Sequence, residues 1–392
     1  TSDVVAAETP NEINNYSMPT TMHQLPESIA IKNAAKALLE SKKPLIWAGA
    51  GVLFSKATEE LKELAELTGT PVFCTMPGKS AFDERHPLSL GAGGGTTTGA
   101  ANLWLKHCDL ILALGSSLTR TPYGQSIKSD IFLIQNTNSV AEINKDESVD
   151  IGLLGDAKLT ISALIEELKI LLGNEKKDYS GTIEQIQHIQ NAWLKEWAPL
   201  LQSDAEPINT YRVIHEINEC IDKENSIVTH DAGAPRDSIV PFFTATTPHS
   251  YIGWGKTTHL GFGIPLMIGA KLANPDKFCL NLMGDGAFGM SGTDIETSAR
   301  AKIPITTVLL NNGGMSTYPG GFPTARLKYG VSHMYGDYAK IAEGMGAVGI
   351  TVRSIQGFRE ALEKAQQLNN DNKTVLIDVH SDMEGRRSRW DR

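Results

Sequence analysis

Apolar positions along this chain fall into short continuous runs separated by longer windows in which they recur at helical spacing. Pro44-Leu45-Ile46-Trp47-Ala48 is one such run; it ends in Gly49-Ala50-Gly51 and leads into a helical window from Thr58 to Leu67. Val72-Phe73-Cys74, Leu110 to Leu114 and Ile131 to Ile134 are further runs, interleaved with helical windows at Ser28 to Leu39, Ala100 to Lys106 and Leu159 to Leu168. Runs this short and this apolar suit strands covered on both faces. Their alternation with helical windows predicts a parallel sheet flanked by helices over roughly residues 28–172.

The pattern then breaks and restarts. Between about 173 and 206 the sequence turns polar and carries an amphipathic segment with Ile186, Ile189, Trp193 and Trp197 at helical spacing, which predicts a linker carrying its own helix. A second series follows, with strands at Ser226 to Thr229, Phe278 to Met283, Ile305 to Leu310 and Thr374 to Val379. Its helices are expected at Thr210 to Ile221, Gly263 to Leu272, Thr293 to Ala301 and Tyr338 to Met345. The expected fold class is α/β, two tandem doubly wound domains with mainly parallel sheets. A polar, Pro/Asn/Thr-rich lead-in occupies 1–27, a middle domain 28–172, a linker 173–206 and a second α/β domain with a C-terminal tail 207–392.

Composition narrows the function classes. With 392 residues, 41% apolar and 21% charged, the chain is long enough for two or three domains and is neither disordered, collagen-like nor coiled-coil. A balance of 36 Lys and Arg against 45 Asp and Glu gives a formal charge of −9, so no basic field favours nucleic acid or an anionic membrane, and neither is expected as a partner. Any anionic ligand must be held by a local site. The apolar runs fall far short of the ~20 residues that span a bilayer, and no basic, then apolar, start marks a secretory signal. Cys74, Cys108, Cys220 and Cys279 are scattered without a CxxC pair. They read as small buried hydrophobes in a reducing compartment, which points to the cytoplasm. Thr1 in place of Met suggests a processed product or a piece of something longer.

The sharpest chemical feature is Gly284-Asp285-Gly286, followed after 24 residues by Asn311-Asn312. Asp285 ends one expected strand and Asn312 the next, joined by a single crossover helix, so the strands should be parallel neighbours and both side chains should face one crevice. In open α/β sheets ligands sit in that crevice. A carboxylate and an amide oxygen are hard ligands, too few to cage an ion alone but suited to Mg²⁺ that completes its shell with phosphate oxygens, a backbone carbonyl and water.

On these residues the chain resembles the thiamine diphosphate (ThDP) enzymes, whose cofactor motif is GDG, about two dozen residues, then NN. The resemblance implies Asp285, Asn312 and the carbonyl of Gly314 as metal ligands, with Gly284, Gly286, Ala287 and Met315 beside them around the cofactor. Thr257-Thr258-His259-Leu260-Gly261-Phe262-Gly263-Ile264-Pro265 is similar to the family segment that bends the cofactor. By position Leu260 is the wedge between its rings, and the Thr258 carbonyl accepts from its 4′-amino group. Val228-Thr229-His230-Asp231-Ala232-Gly233-Ala234 looks like the loop against the diphosphate, which implies Gly233 and Ala234 as contacts. His230 and Asp231 read first as a local hydrogen-bonded pair, with an acid/base role as the alternative.

The first α/β block resembles the middle domain of the acetolactate synthase-like branch, through Lys43 to Gly51, Thr70-Pro71-Val72, Cys108 to Ser116 and Gly155-Asp156-Ala157. Some relatives bind FAD there, others ADP or the adenosine end of coenzyme A. Gly49-Ala50-Gly51 leaves these open, because a tight strand-to-helix turn needs glycine in any case. The Arg/Asp-rich loop of FAD-binding synthases is replaced by Ser117 to Gly124, which leaves Arg120 as a candidate partner for a nucleotide phosphate.

The resemblance further implies a ThDP- and Mg²⁺-dependent C–C lyase or carboligase, acting on a 2-oxo acid or a 2-hydroxyacyl-CoA, that self-associates. Family members carry a third, pyrimidine-binding domain whose glutamate activates the cofactor. No glutamate in this chain takes that role, so the catalytic residue is unassigned and the domain is expected from a cleaved segment, an unlisted part or a second polypeptide. The competing class is a nucleotide-binding regulatory or scaffold protein that kept the fold. A nicotinamide dehydrogenase is disfavoured, since neither block has a full GxGxxG with an acidic residue about 20 positions later. The tail Glu384 to Arg392, with four arginines and one tryptophan, reads as a solvated, frayed end, with closure over an acyl-CoA phosphate as the alternative.

Overall fold

The computed structural model describes residues 1–8, 17, 23–121, 124, 127–173, 177–254, 259–314, 323–331 and 333–390. Strands β1 (Pro44–Ala48), β2 (Val72–Thr75), β3 (Ser89–Gly93), β4 (Leu110–Leu114), β5 (Phe132–Thr137) and β6 (Ile151–Leu154) form one sheet in the order β3-β2-β1-β4-β5-β6. Strands β7 (Ser226–His230), β8 (Tyr251–Ile252), β9 (Phe278–Gly284), β10 (Thr306–Asn311), β11 (Val348–Val352) and β12 (Val375–His380) form another, in the order β11-β12-β10-β9-β7-β8. Every pairing is parallel, and helices cover both faces, so the chain is two doubly wound α/β domains. The residues of β1 after Pro44 and all of β4 are buried, as their uninterrupted apolar runs require.

Four strands lay outside the apolar-run pattern. β3 is Ser-Leu-Gly-Ala-Gly, β6 and β8 are four and two residues long, and β11 is an edge strand with Gly349 and Thr351 in it. Glycine or edge exposure thins the apolar signal in three of them, and shortness hides it in two. The helices begin and stop on chemistry that is local: Asp156 caps Ala157–Leu172 by accepting the Leu159 N–H at 3.0 Å, and Gly173 closes it at φ 58°. Near the start of the chain, Ser2–Val5 is helical rather than extended.

The helix Ser180–Leu201 joins the domains by packing on both. Ile186 enters the core of the first domain, while Trp193 stacks on Phe242 (centroids 4.7 Å apart) and Trp197 meets Tyr211 edge-on at 4.9 Å. A second joint is polar. Lys79, 1% exposed, lies 2.6 Å from Glu84, whose carboxylate also accepts the Ala245 N–H of the second domain at 2.7 Å. Burial pushes the Glu84 carboxyl up, against the opposing pull of Lys79.

The C-terminal segment is not a frayed end. The Tyr211 hydroxyl donates to the Arg386 carbonyl at 2.6 Å, Arg386 pairs with Glu196 and lies over the Trp197 ring, and Arg389 bridges to Thr96. Trp390 is 9% exposed and donates its indole N–H to the Gly94 carbonyl at 2.7 Å. The arginine-rich composition suggested solvation; the anchoring is carried instead by the backbone and by Trp390, with Arg386 stacked flat on an aromatic ring.

Candidate cofactor site

In the second sheet, β7, β9 and β10 are consecutive neighbours, and the chain leaves β7 for β8 on one side before returning to β9 on the other. The carboxyl ends at that switch point gather the residues singled out above. Gly233 (φ 87°) and Ala234 open the short helix after β7; Gly284 ends β9; Asp285, Gly286 and Ala287 begin the helix Asp285–Ser291; Asn312 and Gly314 follow β10. β9 and β10 pair in register, with Leu310 opposite Gly284, so Asp285 and Asn312 emerge side by side. Thr258 and Met315 lie outside the described residues.

Asp285 is buried. Its carboxylate accepts the Gly286 N–H at 2.8 Å and the Gly313 N–H at 2.9 Å, which ties the two loops together. Burial pushes its carboxyl up, opposed by these backbone donors. Asn312 accepts the Gly314 N–H at 3.1 Å, and the loop is closed from above by Met334, whose N–H reaches the Gly313 carbonyl at 2.9 Å. The two asparagines have separate tasks. Asn311 donates to Asp378 of β12 at 3.0 Å, and Asp378 also accepts the Tyr338 N–H, so this residue holds the loop to the sheet.

The donor set fits a hard divalent cation that takes part of its shell from a ligand. Among the described residues no cluster of three or more His, Cys, Asp and Glu could cage a metal on its own. A buried carboxylate raised by desolvation, beside an amide oxygen and a backbone carbonyl, is the environment that a cation and phosphate oxygens would relieve.

Leu260 is partly buried on the core beneath the helix Asp285–Ser291. The following Gly261 (φ 88°) passes so close that a Cβ there would lie 3.1 Å from Ser291 Oγ. What holds this segment is Asp231, a role that sequence reading missed. Wholly buried, its carboxylate accepts the N–H groups of Ala232 at 2.7 Å and of Gly261 and Gly263 at 3.0 Å each. The signal was an acidic residue ending a strand ahead of a Gly-x-Gly pair, which only the fold brings together. His230 is buried too, with Nδ1 against the Asp231 carbonyl at 3.2 Å, and burial pushes it down to about 3, so it is neutral at physiological pH. The hydrogen bonds of both are local, from His230 to the Asp231 carbonyl and from the Ala232, Gly261 and Gly263 N–H groups to the Asp231 carboxylate.

The first domain carries a cavity of about 630 Å³ over the carboxyl ends of its central strands, reaching across to β8. Gly49, Gly51 and Gly115 form its floor, where backbones meet: a Cβ on Gly51 would lie 2.6 Å from the Gly115 Cα. Arg120, at the cavity, is paired with Glu147 through two contacts of 2.8 Å.

Residues 31–164 match the family profile "Thiamine pyrophosphate enzyme, central domain" and residues 231–379 the profile "Thiamine pyrophosphate enzyme, C-terminal TPP binding domain". A probable acetolactate synthase large subunit of Methanococcus aeolicus is 30% identical over 96% of this chain and 67% of its own length. The chain belongs to the thiamine pyrophosphate enzyme family. A second probable acetolactate synthase large subunit, from Methanocaldococcus jannaschii, is 31% identical over 94% of this chain, and an acetolactate synthase of Mycobacterium leprae 30% identical over 90%. The chain spans 62% and 57% of the length of these two relatives. Within this thiamine pyrophosphate enzyme, the crevice of β7, β9 and β10 lies in the TPP-binding domain and the glycine-floored cavity in the central domain. Among the described residues no helix is long and apolar enough to cross a membrane.

Proposed function

We propose that the second domain binds ThDP through Mg²⁺, with Asp285, Asn312 and the Gly314 carbonyl as the protein's metal ligands. In this reading Gly233, Ala234, Gly284, Gly286, Ala287 and Met315 surround the diphosphate, and Thr258 and Leu260 meet the rings. ThDP, when bound, supplies the electron sink for breaking and making a C–C bond beside a carbonyl. The chain's own residues do the positioning. Asp285 holds the two strand-end loops in register, and Asp231 fixes the backbone that carries Leu260. The reaction is lyase or carboligase chemistry on a 2-oxo acid or a 2-hydroxyacyl-CoA, completed by a pyrimidine-binding domain that supplies the activating glutamate, in a self-associated assembly. The first-domain cavity takes a nucleotide, either FAD or the ADP portion of a coenzyme such as coenzyme A.

The observation that carries this reading is the pairing of a buried Asp285 with Asn312 at adjacent strand ends. Calorimetric titration of the chain with ThDP, with and without Mg²⁺, tests it. The expected result is Mg²⁺-dependent binding that Asp285→Ala weakens by more than about 100-fold. Binding that ignores both Mg²⁺ and the substitution would discard the metal site.

A further inference from the structure

The lining of the first-domain cavity is of two kinds: glycine backbone with Ser116, Asn136 and Asp156, and the aromatic side chains of Trp47, Phe73 and Trp390. Trp47 and Phe73 come from paired positions of β1 and β2 and meet edge-on at 4.8 Å, and Phe73 meets Trp390 edge-on at 5.6 Å. Trp47 is 8% exposed, and its buried indole N–H has no hydrogen-bond partner among the described residues. A buried donor left unpaired is costly, and an acceptor on a ligand would satisfy it.

Trp390 is held by its own hydrogen bond and by those of its neighbours. Its N–H is spent on Gly94, and Ser388 exchanges hydrogen bonds with Thr97, accepting the N–H at 2.8 Å and donating its hydroxyl to the carbonyl at 2.6 Å. Trp193 donates its indole N–H to the same Ser388 hydroxyl at 3.0 Å. A ring fixed in this way loses little freedom when something packs on it, which is the property of a binding wall. The aromatic surfaces and the orphan donor together suit a flat ring that carries hydrogen-bond acceptors.

We propose that Trp47, Phe73 and Trp390 form a subsite for the planar heteroaromatic ring of a nucleotide, and that the C-terminal segment is anchored across both domains to deliver Trp390 to it. This rests on the reading that the cavity takes a nucleotide. The shared chemistry, a nitrogen heterocycle on a phosphate-bearing stem, belongs to adenine and to the flavin ring alike.

The test titrates the full chain calorimetrically with ADP and, separately, with FAD, as wild type, Trp390→Ala, Trp390→Phe and Trp47→Phe. Whichever nucleotide wild type takes, Trp390→Ala weakens it by about tenfold and Trp390→Phe recovers most of the loss. Trp47→Phe, which keeps a ring and removes the donor, weakens it by about fivefold. Equal affinities for wild type and Trp390→Ala, at unchanged circular dichroism, overturn the proposal while leaving the cavity reading intact. Failure of wild type to bind either nucleotide overturns both. If Trp390→Ala does not fold, Trp47→Phe decides, and wild-type affinity in that variant overturns the subsite.

Discussion

In the first domain the carboxyl ends of β1 and β4 are floored by backbone, with Gly51 against Gly115, whereas in the second domain the carboxyl ends of β9 and β10 present Asp285 and Asn312. Both are crevices of parallel sheets with the same handed architecture. The difference lies in how closely the loops approach. Where two main chains touch, no side chain fits between them, and at that point the crevice offers N–H and C=O groups, with Ser116, Asn136 and Asp156 around them. Where the loops stand apart, there is room for a carboxylate that is then stabilised by the neighbouring loop's amides. Glycine in the two crevices therefore means different things, although both are written as Gly-x-Gly.

The sharpest way to break this comparison is to add one methyl group where two backbones touch and another where nothing lies near. Gly51→Ala drives a Cβ to 2.6 Å from the Gly115 Cα, and main chain cannot give way cheaply, so a loss of about 3 kcal/mol is expected in urea unfolding. Next comes Asp231→Ala, which strands three buried N–H groups and should cost about 2 kcal/mol. Amide exchange at Gly261 and Gly263 should accelerate along with it, and protection unchanged at both would remove Asp231 from its proposed role.

A smaller effect is visible in pH. His230 titrates near 6.5 when unfolded and at about 3 when folded, so between those values the unfolded chain binds the extra proton. Its contribution to stability is complete above about pH 6.5 and is lost as pH falls toward 3. His230→Phe should flatten the acid limb of a stability–pH curve. Asp231, with its carboxyl raised by burial, contributes the reverse slope: its stabilisation is present at low pH and is lost as pH rises through its folded value. The smallest effect is Gly269→Ala. It lies in the helix Gly263–Ala273, where a Cβ meets nothing within 4 Å, and thermal melting should show a gain of about 0.5–1 kcal/mol. A loss there equal to that of Gly51→Ala would mean that backbone approach does not separate the two kinds of glycine.

The β9 and β10 ends were legible in the sequence because Cys279 to Met283 and Val308 to Leu310 are buried on both faces and, Asn281 apart, apolar, with a polar residue just after each run. Leu260 and Gly233 were reached through resemblance, and the fold brings them to the same switch point. The strands β3 and β8 were not legible: one is nearly half glycine and the other is two residues long, so their pairing is decided by neighbours rather than by their own side chains. Asp231 was read as a turn residue because its partners, Gly261 and Gly263, lie some 30 positions later. Arg120 was read as a spare cation, but Glu147 already neutralises it. The tail was misread for the same reason at longer range, since nothing local in an arginine-rich stretch announces a carbonyl on the other domain.

That long range also sets an order in time. Trp390 and its acceptor Gly94 are 296 positions apart, so at roughly 5–20 residues per second on the ribosome the wall of the first cavity arrives about 15–60 s after the strand it rests on has been made. From the completion of the helix ending at Leu172 until Trp390 arrives, the first domain stands as a folded but open cup, with Phe73 unshielded at its rim. A nascent chain that met its nucleotide early would meet an unfinished pocket.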